Sequence, residues 1–351
     1  MGIDIGTSFI KAVALRRRGS KFCLENYGEI GVPFPEERVF RAFEKDTLLL
    51  SDQDIAQAIQ SICQEAKIQV RDVNFSIPDF SSFFTTFKLP IMTKEEIPEA
   101  LRYEVRPYIP MPLSEITLDW VITEGEMGKT PTKVLAVAIP NDVIRQYQEI
   151  ARVSKLNLRS LEPEVFSLVR SLRHLFLNEK EKRTTALIDI GARTTTCSIL
   201  DGEVLKISHS FNIGSNELTE TLARSLNIDY NKAGMLKEKY GLSQDNSAME
   251  IPSVNVRGIL LPLIDSAVSE AKKVFRDFFQ NEGKEVDKII LAGGSVFLPG
   301  LKEYFSQEFG KEIIIADPFS GLSCPVILKD TLQKAGPSYA VAVGLALKGL
   351  E

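Results

Sequence analysis

Two short glycine turns, each led by an aspartate on an apolar run, are the residues best placed to do chemistry in this 351-residue chain. Residues 2–8 read Gly-Ile-Asp-Ile-Gly-Thr-Ser, and residues 187–195 read Leu-Ile-Asp-Ile-Gly-Ala-Arg-Thr-Thr. Each continues into a second strand-like run, Phe9 to Leu15 in the first copy and Cys197 to Leu200 in the second. A strand that turns tightly at glycine and returns as a hairpin aims backbone N–H groups and short hydroxyls at one point, which suits phosphate oxygens. The aspartate ending each first strand, Asp4 or Asp189, can hold Mg²⁺ through the water shell that this cation tends to keep. One such turn would carry little weight. Two copies imply two related domains gripping one nucleotide phosphate chain from opposite sides.

A third segment, Leu291 to Gly300, runs from an apolar strand into Gly293-Gly294-Ser295. Paired glycines let backbone approach a flat base or ribose, and helical residues after them leave N–H groups facing a ligand. Taken alone, Gly-Gly after a strand is an ordinary turn.

Composition removes several other chemistries. The chain has only two histidines, His174 and His209, so a histidine metal cluster is excluded, and neither lies near a nucleophile-elbow pattern. Cys23, Cys63, Cys197 and Cys324 are scattered without metal or redox spacing and read as small apolar residues of a reducing compartment. A net charge of −5 and a pI near 5.5 argue against a nucleic-acid partner, and Arg16-Arg17-Arg18 before Gly19 reads as a solvated hairpin tip. No apolar run approaches 18 residues and no leader pattern precedes the first strand. Gly6 stands where a myristoylation signal needs Ser or Thr. The expected location is the cytoplasm, with membrane association only through a partner.

The elements that would position these turns follow from periodicity. Residues 1–31 read as a strand meander, with Phe22 to Tyr27 a further strand, although only Met1 precedes the first strand and leaves the completeness of the N-terminus open. Ser51-Asp52 opens an amphipathic helix bearing Ile55, Ala58, Ile59 and Ile62, and a short strand over 73–77 ends at Pro78. Between 78 and 160 the pattern changes to an edge strand at 83–89, a helix over 97–106 and a proline-rich stretch at 108–113. Strands at 117–123 and 133–139 and a helix from Asn141 to about Lys155 follow, which together read as a small inserted α+β unit. Residues 178–183 form a charged connector. Helices are expected over 215–226, over 231–240 with Gly241 as C-terminal cap, over 257–279, and over 338–347, with a strand at 289–292 before the glycine pair.

Phosphate hairpin, Glu162-Pro163, second hairpin, Gly-Gly-Ser and a small-residue C-terminal helix occur in this order over nearly the whole chain. The set resembles the actin-like ATPase superfamily of actin, sugar kinases, heat-shock chaperones and FtsA. Within it the chain is most similar to the PilM family of type IV pilus assembly. That resemblance rests on Arg102-Tyr103-Glu104 through Tyr108-Ile109-Pro110-Met111-Pro112-Leu113, on the small insert, and on residues 214–226 after the second hairpin. FtsA shares the insert but ends in an amphipathic membrane helix, and the chain stops at Glu351 just after its core helix.

The resemblance implies an α/β actin-like ATPase fold with two related domains around a nucleotide cleft. Residues 1–77 and 161–182 would form the first domain, and 78–160 the α+β subdomain inserted in it. Residues 183–226 and 287–351 would form the second domain, its last helix packing back on the first, with 227–286 a helical subdomain. The implied ligands are ATP and Mg²⁺, with Asp4 and Asp189 organising the cation and its waters. Gly6, Thr7, Ser8, Gly191, Thr194 and Thr195 would hold phosphates, with Gly214 and Asn216 beside them on the following helix. Gly293, Gly294 and Ser295 would flank adenosine. Lys11 reads equally as a phosphate contact or a solvated strand residue, and Glu162 as the residue orienting attacking water or an acid at a helix N-terminus. The helix over 231–240 would present Glu and Lys to the ribose; Lys237 matches, but Gly234 stands at the Glu position. A missing buried charged contact there would cost about 1–3 kcal/mol.

The implied function is a nucleotide-loaded adaptor, at most a slow ATPase, that binds the cytoplasmic N-terminal peptide of PilN in a groove beside the insert. Phe84, Tyr103, Tyr108 and Pro110 could line that groove or belong to the insert's core. Self-association, as in an FtsA-like filament, is the second reading. A small-molecule kinase is a third, weakened because neither Asp119 nor Asp142 lies in an acceptor-site pattern.

Overall fold

The computed structural model describes residues 1–31, 43–44, 47–48, 50–177, 183–243 and 255–351. The chain opens with strands β1 (Gly2–Ile5), β2 (Ile10–Arg18) and β3 (Lys21–Ile30). After the short pair β4 (Phe43–Glu44) and β5 (Thr47–Leu48) come helix α1 (Asp52–Glu65) and β6 (Asp72–Ile77). Strand β7 (Phe83–Leu89), α2 (Ile97–Val105), β8 (Ile116–Glu124) and β9 (Thr132–Pro140) follow, then α3 (Asn141–Val153), β10 (Asn157–Pro163), α4 (Glu164–Ser171) and α5 (His174–Leu177). The second half comprises β11 (Thr184–Ile190), β12 (Thr195–Asp201), β13 (Val204–Phe211), α6 (Ser215–Leu226), α7 (Tyr230–Tyr240) and α8 (Val256–Glu282). It closes with β14 (Lys288–Ala292), α9 (Leu301–Phe309), β15 (Glu312–Ile315) and α10 (Lys329–Lys348).

Two five-stranded sheets repeat one design. The first has the order β10-β6-β1-β2-β3 and the second β15-β14-β11-β12-β13. In each, an antiparallel meander lies on one side of the first strand and two parallel strands on the other. β1 and β11 therefore hold equivalent central places, which accounts for their near-continuous burial.

Local signals explain the helices. Ser51 caps α1 by accepting the Asp54 N–H, and the face bearing Ile55, Ala58, Ile59 and Ile62 is buried against the first sheet. Helix α7 starts at Asp229, whose carboxylate accepts the Lys232 N–H, and ends at Gly241 with positive φ. The last helix begins nine residues before the expected 338, because Pro337 is accommodated inside it rather than starting it. The Pro337 carbonyl accepts the Gly293 N–H, so this point of the helix is tied to the glycine pair. Helix α10 packs on β1, β2, β6 and α4, and no side chain fits at Gly344, where the Ser167 carbonyl of α4 crosses.

The insert is a three-stranded sheet of order β7-β9-β8 with α2 across it, around its own core of Phe87, Leu89, Ile97, Leu101 and Val134. Helix α3 does not share that core. Tyr147, Ile150 and Ala151 are buried with Phe75 and Leu156 among the first sheet's residues, and β10 begins at Asn157. The separate unit is thus narrower than the span 78–160 expected from composition. The charged connector expected at 178–183 lies almost wholly outside the described residues. No helix among the described residues is long and apolar enough to cross a membrane.

Candidate functional site

Both glycine turns close in the same way. The Gly6 N–H donates to the Phe9 carbonyl at 3.0 Å, and the Gly191 N–H donates to the Thr194 carbonyl at 2.9 Å. A Cβ added at either glycine would sit 3.0 Å from that same carbonyl oxygen. The turns face each other across a cleft of about 670 Å³, and Gly293 and Gly294 line the same space. Gly293 has φ +96° and lies close to the Ile190 carbonyl, so a side-chain-bearing residue would be strained there and would crowd Asp189.

The cleft brings together Asp4, Gly6, Thr7, Ser8, Lys11, Asp189, Gly191, Thr194, Asn216, Lys237, Gly293, Gly294 and Ser295. Ser8 on the first turn and Asn216 at the start of α6 are hydrogen-bonded directly across it, and the Tyr230 hydroxyl donates to Asn216 Oδ1 at 3.1 Å. Lys11 lies between the Phe9 and Tyr339 rings, 5.8 and 5.7 Å from their centroids.

Three expected residues are placed elsewhere. Thr195 is buried, with its hydroxyl donating to the Ile213 carbonyl at 2.7 Å. Gly214 packs against the backbone of Ala192 and Arg193, which leaves room for no side chain and seats α6 on the second turn. Glu162 ends a strand rather than lying in a helix, and its carboxylate is taken. It accepts from Arg170 Nη1 at 2.5 Å and Nη2 at 3.1 Å, from Lys348 Nζ at 2.6 Å, and from Ser167. Burial alone would raise its pKa, but Arg170, Lys348 and Ser167 outweigh it and hold the carboxyl below its usual value. Glu162 ties α4 to α10 and does not line the cleft.

The cleft instead receives Glu164, the first residue of α4, in front of the buried Asp79. The Asp79 N–H donates to Glu164 Oε2 and the Val165 N–H to Asp79 Oδ1, both at 3.2 Å. Asp4, Glu164 and Asp189 line the cleft with Asp79 buried behind Glu164, and burial raises all four. Asp79 is pushed up to about 8 by burial and the nearby Asp189 and Asp4 charges, against the Val165 hydrogen bond. Asp189 is pushed up to about 6 by burial and Asp4, against Lys11. Asp4 rises through burial, opposed by Lys11 and by the Ser76 hydroxyl at 2.7 Å. No three of these acids, or of any His, Cys, Asp or Glu among the described residues, are close enough to ligate a metal directly.

On α7, Lys237 turns inward. Its ammonium donates to Ser215 Oγ at 2.6 Å, to Thr219 Oγ1 at 2.8 Å and to the Ser215 carbonyl at 3.2 Å, using all three protons on α6. Burial lowers its pKa, against the attraction of Glu238. A Cβ at Gly234 would meet only Thr219 Cγ2, at 3.9 Å, and Glu238, one turn later, is exposed and lines the cleft. Arg193 of the second turn lies 4.6 Å from the Phe80 ring of the first half. Sequence reasoning missed Glu164, Asp79, Glu238 and this stacked pair. Only Glu164 had a local signal, since Glu-Pro-Glu offers two acids and the strand end decides which one faces the ligand.

The four residues proposed for a partner groove separate. Tyr103 and Tyr108 are 81% and 63% exposed, and Pro110 is exposed beside them. The Tyr108 ring meets Phe87 edge-on at 5.6 Å. Phe84 is half-buried on the far side, 6.3 Å from the Phe166 ring of α4.

Comparison with known proteins agrees with this architecture. The structure is similar to a solved PilM-PilN type IV pilus biogenesis complex, with TM-score 0.86 and 24% identity over 100% of this chain and 98% of that one. It is also similar to MreB 5 of Spiroplasma citri bound to AMPPNP, with TM-score 0.50 and 13% identity over 100% and 95%. The fold is the actin-like ATPase fold. Cell division protein FtsA of Enterococcus faecalis (strain ATCC 700802 / V583) is 24% identical over 93% of this chain and 80% of its own length. FtsA of Rhizobium meliloti (strain 1021) is 27% identical over 46% of this chain, a match spanning about two fifths (39%) of that relative. The family profile of type IV pilus assembly protein PilM matches residues 2–350, and with that coverage of its two hairpins, insert and cleft the chain belongs to the PilM family.

Proposed function

We propose that this protein is an ATP- and Mg²⁺-binding adaptor of type IV pilus assembly that docks the cytoplasmic peptide of a PilN-like inner-membrane protein. The observation that carries the nucleotide half is the repeated turn: two hairpins of identical closure present Gly6-Thr7-Ser8 and Gly191 to Thr194 to one cleft. Backbone N–H groups and hydroxyls at that spot suit the phosphate chain, and the glycine pair at 293–294 allows close approach of the adenosine.

The donor set fits a hydrated divalent cation. Three carboxylates line the cleft with Asp79 behind them and Lys11 opposing part of the charge on Asp4 and Asp189, and among the described residues no three acids are grouped for direct ligation. Mg²⁺ keeps its waters and is commonly held through one or two carboxylates plus phosphate oxygens. Asp4 and Asp189 would hold it from either side, where it would neutralise phosphate charge. Glu164 lines the cleft beside Asp79 and is the carboxylate that would accept a proton from an attacking water once it is ionised. Hydrolysis, where it occurs, is therefore assigned to Glu164, and Glu162 to holding the α4–α10 crossing.

The partner half rests on the family and on the insert's exposed aromatic residues Tyr103 and Tyr108. Through such a peptide the protein would sit at the inner membrane from the cytoplasmic side. Calorimetry of the full chain with ATP·Mg²⁺, with and without the PilN-like N-terminal peptide, tests both halves. Binding of both with little phosphate release is expected; peptide binding without nucleotide would leave a scaffold that has lost its cofactor. The FtsA relatives favour self-association as a second reading, which sedimentation with ATP would reveal.

A further inference from the structure

The insert, although it branches from the first half of the chain, is also fastened to the second. Glu124 at the end of β8 and Lys133 on β9 face Lys206 on β13 and Glu282 at the end of α8. Lys206 pairs with Glu124 and Lys133 with Glu282, and a Lys133–Glu124 contact of 3.9 Å joins the two pairs into one alternating row. The side chains of Lys206, Lys133 and Glu282 are only 5%, 12% and 13% exposed, so water screens the Lys133–Glu282 pair poorly, while Glu124 is 47% exposed and its pair with Lys206 is open to solvent on one side. The Thr86 hydroxyl adds a hydrogen bond of 3.4 Å to the Lys206 carbonyl. Beyond these contacts β7 and β13 are both edge strands, and a cavity of about 450 Å³ lies between them. The charged row therefore lies beside an apolar contact, in which Leu135 of β9 is buried with Leu187, Leu200 and Leu205 of the second sheet, and the cavity leaves space around both.

The other attachment of the insert leads straight to the cleft. Asp79, bonded to Glu164, lies four residues before β7 starts at Phe83. The insert is therefore tethered to the cleft floor through Asp79 and to the opposite wall through Lys206 and Glu282. A ligand that drew the two halves together would shift or turn a body held by both.

We propose that the Lys206–Glu124–Lys133–Glu282 row is a strap that makes the insert follow the second half of the molecule, so that occupancy of the cleft changes the insert's outer face. This rests on the nucleotide reading given above. Coupling of two sites needs an element whose arrangement both can bias, and a charged strap across a gap supplies it. Breaking one link loosens the insert's charged attachment to the second half without touching a cleft residue, and leaves the Leu135 packing in place.

Hydrogen exchange on the full chain, with and without ATP·Mg²⁺, tests this. In the native protein, nucleotide is expected to slow exchange at 191–216 and to change it at least twofold in β7 and β8. Lys206→Glu should keep the first effect and lose the second, and the charge-swapped pair Glu124→Lys with Lys206→Glu should restore it. Should Lys206→Glu fail to fold, Lys133→Met with Glu282→Gln removes the other link without facing like charges. An insert response that survives in these variants, or protection at 191–216 with none in the native insert, overturns the strap while leaving nucleotide binding intact. No protection at 191–216 overturns both.

Discussion

Asp4 and Asp189 occupy the same place in two equivalent hairpins, but their ladder partners differ: Asp4 lies opposite Lys11 and Asp189 opposite Thr196. The second copy has lost the cross-strand cation, so one lysine serves two buried carboxylates. That imbalance is what an added divalent cation would correct.

It also fixes how stability should depend on pH. Asp189 titrates at about 6 in the folded chain, above its ordinary value of 3.8, so the folded state holds the proton more tightly. Stability therefore falls as pH rises from about 4 to about 6, and Asp79 extends the fall to about 8. Asp189→Asn removes the penalty. At pH 8 without divalent cation it is expected to raise the thermal midpoint by roughly 2–5 °C. It should also abolish the stabilisation that ATP·Mg²⁺ gives the native protein. A scanning fluorimetry series checks both signs, and a lowered midpoint with nucleotide stabilisation retained would remove Asp189 from the cation site.

Glu162 and Glu164 should behave as opposites. Glu162→Gln leaves Arg170 and Lys348 partly unpaired at a buried crossing, a change that commonly costs about 3–5 kcal/mol. Urea unfolding should show that loss while nucleotide affinity stays within about twofold below the transition. Glu164→Gln should leave unfolding unharmed or improved, because a buried acid disappears, and should reduce any phosphate release at least tenfold. Equal effects of the two variants on phosphate release would defeat the assignment.

The hairpins, most helices and the glycine pair were legible because each depends on a local pattern, whereas the start of the last helix was misplaced by nine residues at Pro337. Asp-Ile-Gly on an alternating run specifies a turn wherever it occurs, and 215–226 carries its helical period on its own residues. What stayed hidden depends on register or on distant partners. Glu162 and Glu164 differ only in which side of a strand end they leave, and the partners that claim Glu162 include Lys348, 186 residues away. Lys237 matches a ribose ligand by spacing, yet Ser215 and Thr219 of another helix decide where its ammonium points. Helix α3 looked like part of the insert because it follows it in sequence, while Tyr147 packs on Phe75 at 5.9 Å in the neighbouring core.

Lys237 and Glu238 provide a test of that ribose reading. Since the ammonium is spent on α6, Lys237→Met should destabilise the start of that helix and weaken ATP and ADP alike, with a lowered thermal midpoint in the absence of ligand. Glu238→Gln, on an exposed side chain, should leave stability unchanged and weaken nucleotide binding about three- to tenfold through a lost hydroxyl contact. Calorimetry with ATP and with 2′,3′-dideoxy-ATP separates the cases. Glu238 loses its role if its variant binds both with native affinity.

The exposed aromatics of the insert lead to a division between docking and packing. Tyr103 and Tyr108 spend little of their surface on the fold, so truncating them forfeits few internal contacts, whereas a peptide laid along that face would lose aromatic area. Tyr103→Ala and Tyr108→Ala are each expected to leave the unfolding midpoint within about 1 kcal/mol of native, since surface changes of this kind rarely exceed it. Each should weaken the PilN-like peptide at least fivefold. Phe84 is different: its ring is half-buried against Phe166 where the insert meets α4, so Phe84→Ala should lower stability by about 2–4 kcal/mol and reduce peptide affinity only through that loosening. Fluorescence anisotropy of a labelled peptide, run beside urea unfolding of the same variants, reads both effects. If the tyrosine variants bind normally while Phe84→Ala stays stable and loses the peptide, the docking face is the β7 side and not the face bearing Tyr103.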